Sequence, residues 1–279
     1  MLNVAFYGVR GSTPVSGPDV IRYGGNTSCV VINGDEREPI VLDLGTGLRR
    51  FGAAFGPDCS FAGTALVSHL HWDHVQGLPF FAPVLRPGGR LQILGPPPDE
   101  YPDLRTAFDT FMRPPFFPVR IDDLAGHIDV DPCPSGAFRV ADAQVLALAV
   151  PHAGLTYGFR ISCGGVTVAY VPDHQQPVDG SHGVVDAVLE LAEGVDLLIH
   201  DAQYLPHEFA RKANWGHCTV DYALTVARLA GARRLALFHH DPLRNDDDLD
   251  VQATCARLVG ERMGIDVFAA AEGMQFVLD

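Results

Sequence analysis

Short runs of apolar residues recur along the chain, and a polar or glycine-rich break follows each of them. The runs are too short for helices and rich in Val, Ile, Leu and Ala, a pattern that indicates strands buried inside a layered fold. We predict strands at 4–7, 29–32, 40–42, 65–67, 91–94, 145–150, 166–171, 195–199, 235–238, 267–270 and 276–278.

Other segments carry apolar residues at helical spacing. One runs from Val184 to Ala192 and stops at Gly194, and another runs from Val220 to Ala227 and stops at Gly231. Thr219 is placed to cap the second helix. The acidic run 246–248 suits the first turn of a third helix, because carboxylates are stabilised at the positive end of the helix dipole.

Strands dominate the first half of the chain, whereas strands and helices alternate later. This order predicts a mixed α/β (α+β) fold of sheet layers covered by helices, and no linker divides residues 1–279, so we expect one domain. A Pro- and Phe-rich excursion spans about 96–134, and its portion 112–118 cannot form the interior of a regular element. This excursion is either a lid or wall beside a pocket, or a packed surface segment or dimer contact.

The charge balance excludes one class of partner. The chain has 20 Lys and Arg against 34 Asp and Glu, a formal charge of −14, so extended nucleic acid is disfavoured.

Neither an 18-residue apolar stretch nor a signal-peptide pattern is present, and we expect no membrane association and a cytoplasmic location. The six cysteines form no CxxC pair and are expected to be free thiols.

The candidate chemistry lies in the histidines, eight of which follow predicted strands among a total of 12. The central signal is the segment His69-Leu70-His71-Trp72-Asp73-His74, with three imidazoles and one carboxylate. Gathering these groups as ordinary polar residues would be costly, whereas a divalent metal needs them. Four ligands from one turn are too crowded for one ion, which favours two.

This segment matches the HxHxDH signature of the metallo-β-lactamase superfamily, which the chain resembles from Gly8-Val9-Arg10-Gly11-Ser12 to Leu237-Phe238-His239-His240. The order of the later motifs resembles the phosphodiesterase branch, which includes ribonuclease Z and cyclic-nucleotide phosphodiesterases. The resemblance implies a four-layer αββα sandwich with the site at one edge of two sheets. It further implies two divalent ions, Zn or Mn, with Fe also compatible with these ligands.

The resemblance also implies a ligand set. One ion is bound by His69, His71 and His152, the other by Asp73, His74 and His239, and Asp173 bridges them. The choice of His239 over His240 rests on register. His174 and His240 are expected outside the ligand set, as supporting or solvent-facing residues.

Three further residues receive roles. Asp43 either holds the outer nitrogen of a ligand histidine or forms a strand-end turn. The segment Trp215-Gly216-His217-Cys218-Thr219 resembles the GHST-like segment of the ribonuclease Z group, and His217, near neither triad, is suited to protonate a leaving alkoxide. Asp201 is expected to orient His217, and the catalytic set is therefore His217, Asp201 and the ligand Asp73. The alternative for His217 is an ordinary helix-cap or surface histidine.

The resulting hypothesis is a dinuclear metal-dependent phosphodiesterase acting on a small, cyclic or acyclic, phosphodiester. One alternative is a lactone, thioester or amide hydrolase, since such a site also polarises carbonyls. Another is a metal-bearing binding or carrier protein without turnover. Many relatives in this branch are dimers, so a homodimer fits the resemblance, but the sequence identifies no interface.

Overall fold

The computed structural model describes residues 1–34 and 37–279, and these form two seven-stranded sheets. The strand order is β14-β1-β2-β3-β4-β5-β6 in the first sheet and β13-β12-β11-β10-β9-β8-β7 in the second. The strands are β1 Leu2–Gly8, β2 Cys29–Gly34, β3 Ile40–Leu42, β4 Ala62–Leu66, β5 Arg90–Gly95, β6 His127–Pro132, β7 Gly136–Val140, β8 Ala143–Val150, β9 Thr156–Cys163, β10 Val166–Val171, β11 Leu197–Asp201, β12 Arg234–Phe238, β13 Asp266–Ala269 and β14 Gln275–Leu278. The helices are α1 Gly47–Gly52, α2 Trp72–Val75, α3 Leu104–Phe111, α4 Asp186–Ala192, α5 Pro206–Lys212, α6 Val220–Ala230 and α7 Asp246–Met263.

The apolar strands form because both faces of each sheet are buried. In β2, Val30 and Ile32 face the core between the sheets, while Cys29 and Val31 face the core beneath the helices. Successive strand side chains point to opposite faces, so a strand buried on both faces reads as a continuous apolar run. One core thus lies between the sheets and a further core lies on the outer side of each.

Helices cover both outer faces. Residues of α1 and α3 pack on the first sheet, and residues of α4, α6 and α7 pack on the second. The order helix, sheet, sheet, helix confirms the predicted αββα sandwich. No helix in the described residues has the length and apolar character needed to cross a membrane.

All eleven predicted strands are present, with bounds shifted by up to three residues, but β6, β7 and β9 were not predicted. β6 and β7 are edge strands with several exposed side chains, so their apolar signal is weak. β9 carries Tyr157, Gly158 and Arg160, which interrupt an apolar run. The three predicted helices are present, and Thr219 caps α6 by accepting a hydrogen bond from the backbone N–H of Tyr222 at 3.2 Å.

The Pro- and Phe-rich excursion is more regular than expected. It contains α3 and the edge strand β6, because Leu104, Phe108 and Met112 are buried in the outer core of the first sheet. The portion at 112–118 is free of helix and strand, as predicted. The excursion is therefore packed, and its first residues also form a wall beside the site described below.

Several strands end at one edge of the sandwich. β3, β4 and β5 are parallel neighbours in the first sheet, and β10, β11 and β12 are parallel neighbours in the second. The carboxyl ends of parallel strands meet at the same edge, which is where crevices form in such folds. The polar residues that follow β3, β4, β10 and β12 are thereby brought together.

Candidate metal centre

The His69 to His74 motif lies in the turn from β4 into α2. His71 is still extended, with φ −61° and ψ 150°, whereas Asp73 and His74 are within α2. The change of backbone conformation divides the motif between two groups of ligand-type atoms. His69 and His71 belong to one group, and Asp73 and His74 belong to the other.

The carboxylate of Asp173 lies between these groups. Its Oδ2 is 3.7 Å from Nε2 of His69 and 3.6 Å from Nε2 of His152. Its Oδ1 is 3.1 Å from Nε2 of His74 and 3.4 Å from Nε2 of His239. Each oxygen thus faces one group, which is the arrangement a carboxylate needs to bind two ions at once.

The structure brings together all seven residues that the resemblance implies as ligands. Within each group, the ligand-type atoms lie within 4.8 Å of one another. The groups are His69, His71, His152 and Asp173 on one side, and Asp73, His74 and His239 on the other.

Asp43 organises the outer nitrogens of two of these histidines. Its Oδ2 accepts hydrogen bonds from Nδ1 of His74 at 2.7 Å, from the hydroxyl of Tyr170 at 2.7 Å and from Oγ of Ser68 at 2.9 Å. Because Ser68 gives its proton to Asp43, its oxygen is free to accept from Nδ1 of His69 at 3.1 Å. Of the two interpretations offered by the sequence, the structure thus favours the one in which Asp43 holds a ligand histidine.

Two other histidines are held in the same way. Nδ1 of His152 donates to the carbonyl of Gly216 at 2.6 Å, and Nδ1 of His239 donates to Oε1 of Gln203 at 3.0 Å. With Nδ1 protonated, the neutral form of each ring has its lone pair on Nε2, on the side of Asp173. The tautomers are thus set for cation binding.

The donor set fits divalent metal ions. Among the described residues, Nε2 of His69, Nε2 of His74 and Oδ1 of Asp173 are buried without a hydrogen-bond partner. Nε2 of His152 and Nδ1 of His71 lie 3.3 Å apart, so two ligand-type nitrogens face each other. Buried unpaired acceptors are costly, and a cation between them removes that cost. Imidazole and carboxylate ligands without thiolate suit Zn, Mn or Fe.

The pKa values of the ligand residues are shifted by burial and by the charges of their neighbours. Burial lowers the pKa of His69 well below its ordinary value, despite the opposing charge of Asp173. Burial would also lower the pKa of His74, but the carboxylates of Asp173 and Asp73 raise it well above its ordinary value. For Asp173, burial is outweighed by His239, His74 and His69, which lower the pKa of the carboxyl. Protons therefore compete with a metal for the group that contains Asp73, while the His69 side is already deprotonated.

His217 is held by Asp201. Its Nδ1 is 2.9 Å from Oδ2 of the fully buried Asp201. The same carboxylate accepts from the backbone N–H of His174 at 3.1 Å and from that of Gln203 at 3.0 Å. Asp201 is thus fixed by two backbone donors, and it can orient His217 as the sequence suggested.

The expectation that His217 lies near neither triad was wrong. Its Nδ1 is 3.8 Å from Oδ2 of Asp173, and its ring centre is 4.9 Å from that of His239. The close approach arises because β11 ends at Asp201 directly beside the strand that precedes His239. His217 therefore borders the ligand set.

His174 and His240 lie outside the ligand groups, but neither faces solvent. Nε2 of His240 donates to the carbonyl of Ala270 at 2.8 Å, and burial lowers the pKa of His240 to about 3. Nδ1 of His174 is 3.0 Å from Nε2 of His200 within the second sheet's layer. This geometry favours His239 over His240 as the ligand.

Two cavities adjoin the ligands. One of about 480 Å³ is lined by Ser12, Leu70, His71, Trp72, Asp73, Asp173, Trp215 and His217. The other, of about 290 Å³, lies between His69, Leu70 and His71 on one side and residues 96–101 and 153–155 on the other. The start of the Pro-rich excursion is thus a wall beside the site.

No Lys or Arg is among the described residues that line the larger cavity. Two arginines near the N-terminus are engaged elsewhere. Arg10 is buried and donates to three backbone carbonyls, including that of Gly24, while Arg22 pairs with Asp247 and Asp250.

The structure adds residues that the sequence interpretation missed. Gln203 lies two positions after Asp201 and contacts His239, and Ser68 precedes His69 directly. Ser12 donates its backbone N–H to Oδ2 of Asp73 at 2.7 Å. The only sequence signal for these residues was that each lies next to, or within, a motif already identified.

The comparisons with known proteins agree with this geometry. Residues 53–240 match the family model described as a beta-lactamase superfamily domain. A ribonuclease Z of Natronomonas pharaonis is 29% identical over 275 residues, covering 85% of this chain and 86% of that protein. Among solved structures, the metallo-beta-lactamase fold protein YhfI from Bacillus subtilis superimposes with a TM-score of 0.74 at 20% identity, covering 99% of this chain and 100% of that one. The short form of human tRNase Z superimposes with a TM-score of 0.71 at 22% identity and 99% coverage of both chains.

Proposed function

We propose, because this chain belongs to the beta-lactamase superfamily, that its site hydrolyses a small phosphodiester. The chain is a metal-dependent hydrolase, as its family and its cluster of ligand residues establish. The observation that carries the proposal is the Asp173 carboxylate between two groups of ligand atoms, with the pair His217 and Asp201 at the border of the same cavity.

The ligand residues form two sets, one for each proposed ion. His69, His71 and His152 would hold one divalent ion and Asp73, His74 and His239 the other, with Asp173 shared between them. Two such ions, of Zn or Mn, would supply a deprotonated water near neutral pH and offset the negative charge of the phosphoryl group. Their role is essential here, since neither Lys nor Arg is among the described residues that line the cavity.

His217 is proposed to protonate the leaving oxygen. Its Nδ1 proton is used in the 2.9 Å hydrogen bond to Asp201, which leaves Nε2 as the atom that carries the transferred proton. The buried Asp201 fixes the orientation of the imidazole. A diester needs such an acid because its leaving group departs as an alkoxide.

Small substrates are favoured over RNA. The relative from Natronomonas pharaonis is named ribonuclease Z, and relatedness alone would suggest an RNA substrate. A formal charge of −14 repels a polyanion over much of the surface, and a cavity of about 480 Å³ is of the size that holds a small ligand. We therefore propose a mononucleotide-sized diester as the substrate.

The proposal is tested with metal-stripped protein reloaded with Zn or Mn. A bis-aryl phosphodiester, an aryl ester and a lactone are offered in parallel, and diester turnover that returns only with metal is the expected result. Turnover of the carbonyl substrates alone would indicate an acyl hydrolase, and saturating metal without any turnover would indicate a binding protein.

The role of His217 needs variants. His217→Ala and Asp201→Asn should retain the metal content of the parent and lower kcat by about 10²- to 10⁴-fold for an alkyl diester, whose alkoxide leaving group needs a general acid. The loss should be much smaller for the bis-aryl diester, whose aryloxide leaves without one. Loss of metal in His217→Ala would instead make His217 a ligand, since it forms a third group with Asp173 and His239.

A further inference from the structure

Both tryptophans of the chain line the cavity beside the ligand set. The side chains are exposed, Trp72 at 80% and Trp215 at 61%. Large aromatic side chains left in solvent at a concave site are characteristic of binding surfaces.

Their backbone positions are fixed by the site itself. Trp72 lies between His71 and Asp73, which belong to opposite ligand groups. Trp215 precedes Gly216, whose carbonyl accepts the Nδ1 proton of His152 at 2.6 Å. Trp72 is thus adjacent to two ligand-type residues and Trp215 is adjacent to a residue that positions a third, so both indoles lie beside the ligand set.

We propose that Trp72 and Trp215 form a subsite for the heterocyclic base of the substrate, so that the substrate is a nucleotide. This inference rests on the proposed phosphodiester hydrolysis. Stacking of a base on an aromatic side chain needs no charge and contributes about 1 to 3 kcal/mol per base. It supplies affinity that depends neither on the metal ions nor on Lys or Arg, which are absent from the described lining of the cavity.

The tryptophans themselves provide the first test. Because the chain has two tryptophans and both line the cavity, its intrinsic fluorescence reports directly on this subsite. Adenosine 5′-monophosphate should quench the fluorescence of the metal-loaded protein in a saturable way, whereas ribose 5-phosphate, which lacks the base, should not. Trp72→Ala and Trp215→Ala should each weaken nucleotide binding by about 10-fold, as measured from the fluorescence of the remaining tryptophan.

A matched control is Phe116→Ala, which removes another aromatic side chain, 74% exposed and outside the cavity lining. Its nucleotide affinity should equal that of the parent. Equal affinity in the parent and both tryptophan variants would overturn the inference, as would a change of oligomeric state in the variants without a change in affinity.

Kinetics separate this inference from the proposed function. A nucleoside 3′,5′-cyclic phosphate is compared with the matching methyl riboside cyclic phosphate, which has the same diester and no base. The variants should raise KM about 10-fold for the nucleotide alone and leave kcat unchanged. Equal rises for both substrates would overturn the base subsite, whereas failure of the parent to hydrolyse either diester would overturn the proposed function and leave the fluorescence test to decide the subsite.

An independent set of contacts concerns Ser12. With the Nδ1 proton of His239 donated to Oε1 of Gln203, the amide nitrogen of Gln203 is directed to Oγ of Ser12, at 3.3 Å. Ser12 Oγ accepts that hydrogen bond, so its own proton remains available to another acceptor. Ser12 also lines the larger cavity, and its φ of 61° is a left-handed conformation uncommon for serine and often retained at functional sites.

We infer that the Ser12 hydroxyl donates a hydrogen bond to a phosphoryl oxygen of the substrate, again given the proposed phosphodiester hydrolysis. The test uses inorganic phosphate as the probe, measured by calorimetry on metal-loaded Ser12→Ala and Ser12→Gly. Both should bind phosphate about 10-fold more weakly, because a hydrogen bond to a charged group is lost, and both should keep the parent's metal content.

The glycine variant removes the backbone strain as well as the hydroxyl, so agreement between the two variants assigns the effect to the hydroxyl. Thr13→Ala, at the exposed neighbouring position, is the control and should bind phosphate as the parent does. Unchanged phosphate affinity in Ser12→Ala would overturn the inference, and so would a parallel loss of metal, which would give Ser12 a purely structural role.

Discussion

The carboxylate of Asp43 accepts the Nδ1 proton of His74 at 2.7 Å, and both side chains are fully buried. Asp43 follows β3, and His74 lies in α2 beyond β4, so the contact ties together the ends of two parallel strands. Asp43 has a φ of 59°, a left-handed conformation that Asp tolerates better than most residues. This turn places the carboxylate behind the ligand that it orients.

Asp43→Asn should weaken metal binding by about 10- to 100-fold, the usual effect of losing the partner of a metal-bound imidazole. The amide nitrogen would present protons to Nδ1 of His74, which also carries a proton. Metal affinity is measured by competition with a chromogenic chelator. Tyr170→Phe is the control, because it removes one hydrogen bond to the same oxygen and leaves the carboxylate. Equal affinities for the two variants would contradict the role of Asp43.

The sequence predicted the strands that are buried on both faces and missed those at the edges. β11 and β12 are continuous apolar runs because alternate side chains enter different cores. β6 and β7 have one neighbouring strand each and expose polar side chains, so neither hydrophobicity nor alternation identifies them. Edge strands are specified by pairing with a neighbour distant in sequence, which a local pattern does not record.

Some residues of the candidate site could likewise be predicted from the sequence, and others could not. His69 to His74 could be identified because four ligand-type residues fall within six positions and follow an apolar run. Gln203 could not, since a glutamine after a strand is common and its contacts lie 36 residues away at His239 and 191 residues away at Ser12. The closeness of His217 to both ligand groups was also missed, because it depends on which strands are neighbours in the second sheet.

Gln203 provides a second prediction. Gln203→Met should lower the metal content from two ions towards one per chain, because Nδ1 of His239 loses its acceptor at 3.0 Å and the tautomer is no longer fixed. Gln203→Glu retains an acceptor and should restore the second ion. The stoichiometry is measured by elemental analysis after dialysis against limiting metal. If Gln203→Met retained two ions at parental affinity, the hydrogen bond to His239 would be dispensable.

Metal removal should destabilise the fold. At a free-ion concentration about 100 times Kd, binding contributes about 2.7 kcal/mol per site to the free energy of unfolding, which corresponds to about 5 to 10 °C in Tm for a chain of this size. Excess chelator should therefore lower Tm by at least this amount, and added Zn or Mn should restore it. Differential scanning calorimetry at fixed protein concentration measures the change.

Variants of the ligands give the matching control. His71→Ala and Asp173→Ala should lose metal and turnover together and show a smaller response of Tm to chelator. His127→Ala alters an exposed histidine that pairs with Asp129 at 2.9 Å and is outside both ligand groups, so its Tm should fall with chelator as the parent's does. An identical chelator response in Asp173→Ala and His127→Ala would mean that Asp173 does not bind metal.

Gly216 lies against a ligand, and the last prediction concerns it. A Cβ at this position would lie 2.5 Å from the ring of His152, and its φ of +95° is one that L side chains rarely adopt. Gly216→Ala should therefore displace His152 and weaken the ion held with His69 and His71, in addition to straining the backbone. Gly231→Ala separates the two effects, because Gly231 also has a positive φ, of +67°, but a Cβ there would meet nothing within 4 Å. Gly231→Ala should lower the free energy of unfolding by about 1 kcal/mol and leave metal affinity unchanged. If both variants bound metal equally well, the ring of His152 would have to move without loss of coordination, and its hydrogen bond to the Gly216 carbonyl could not be what fixes its position.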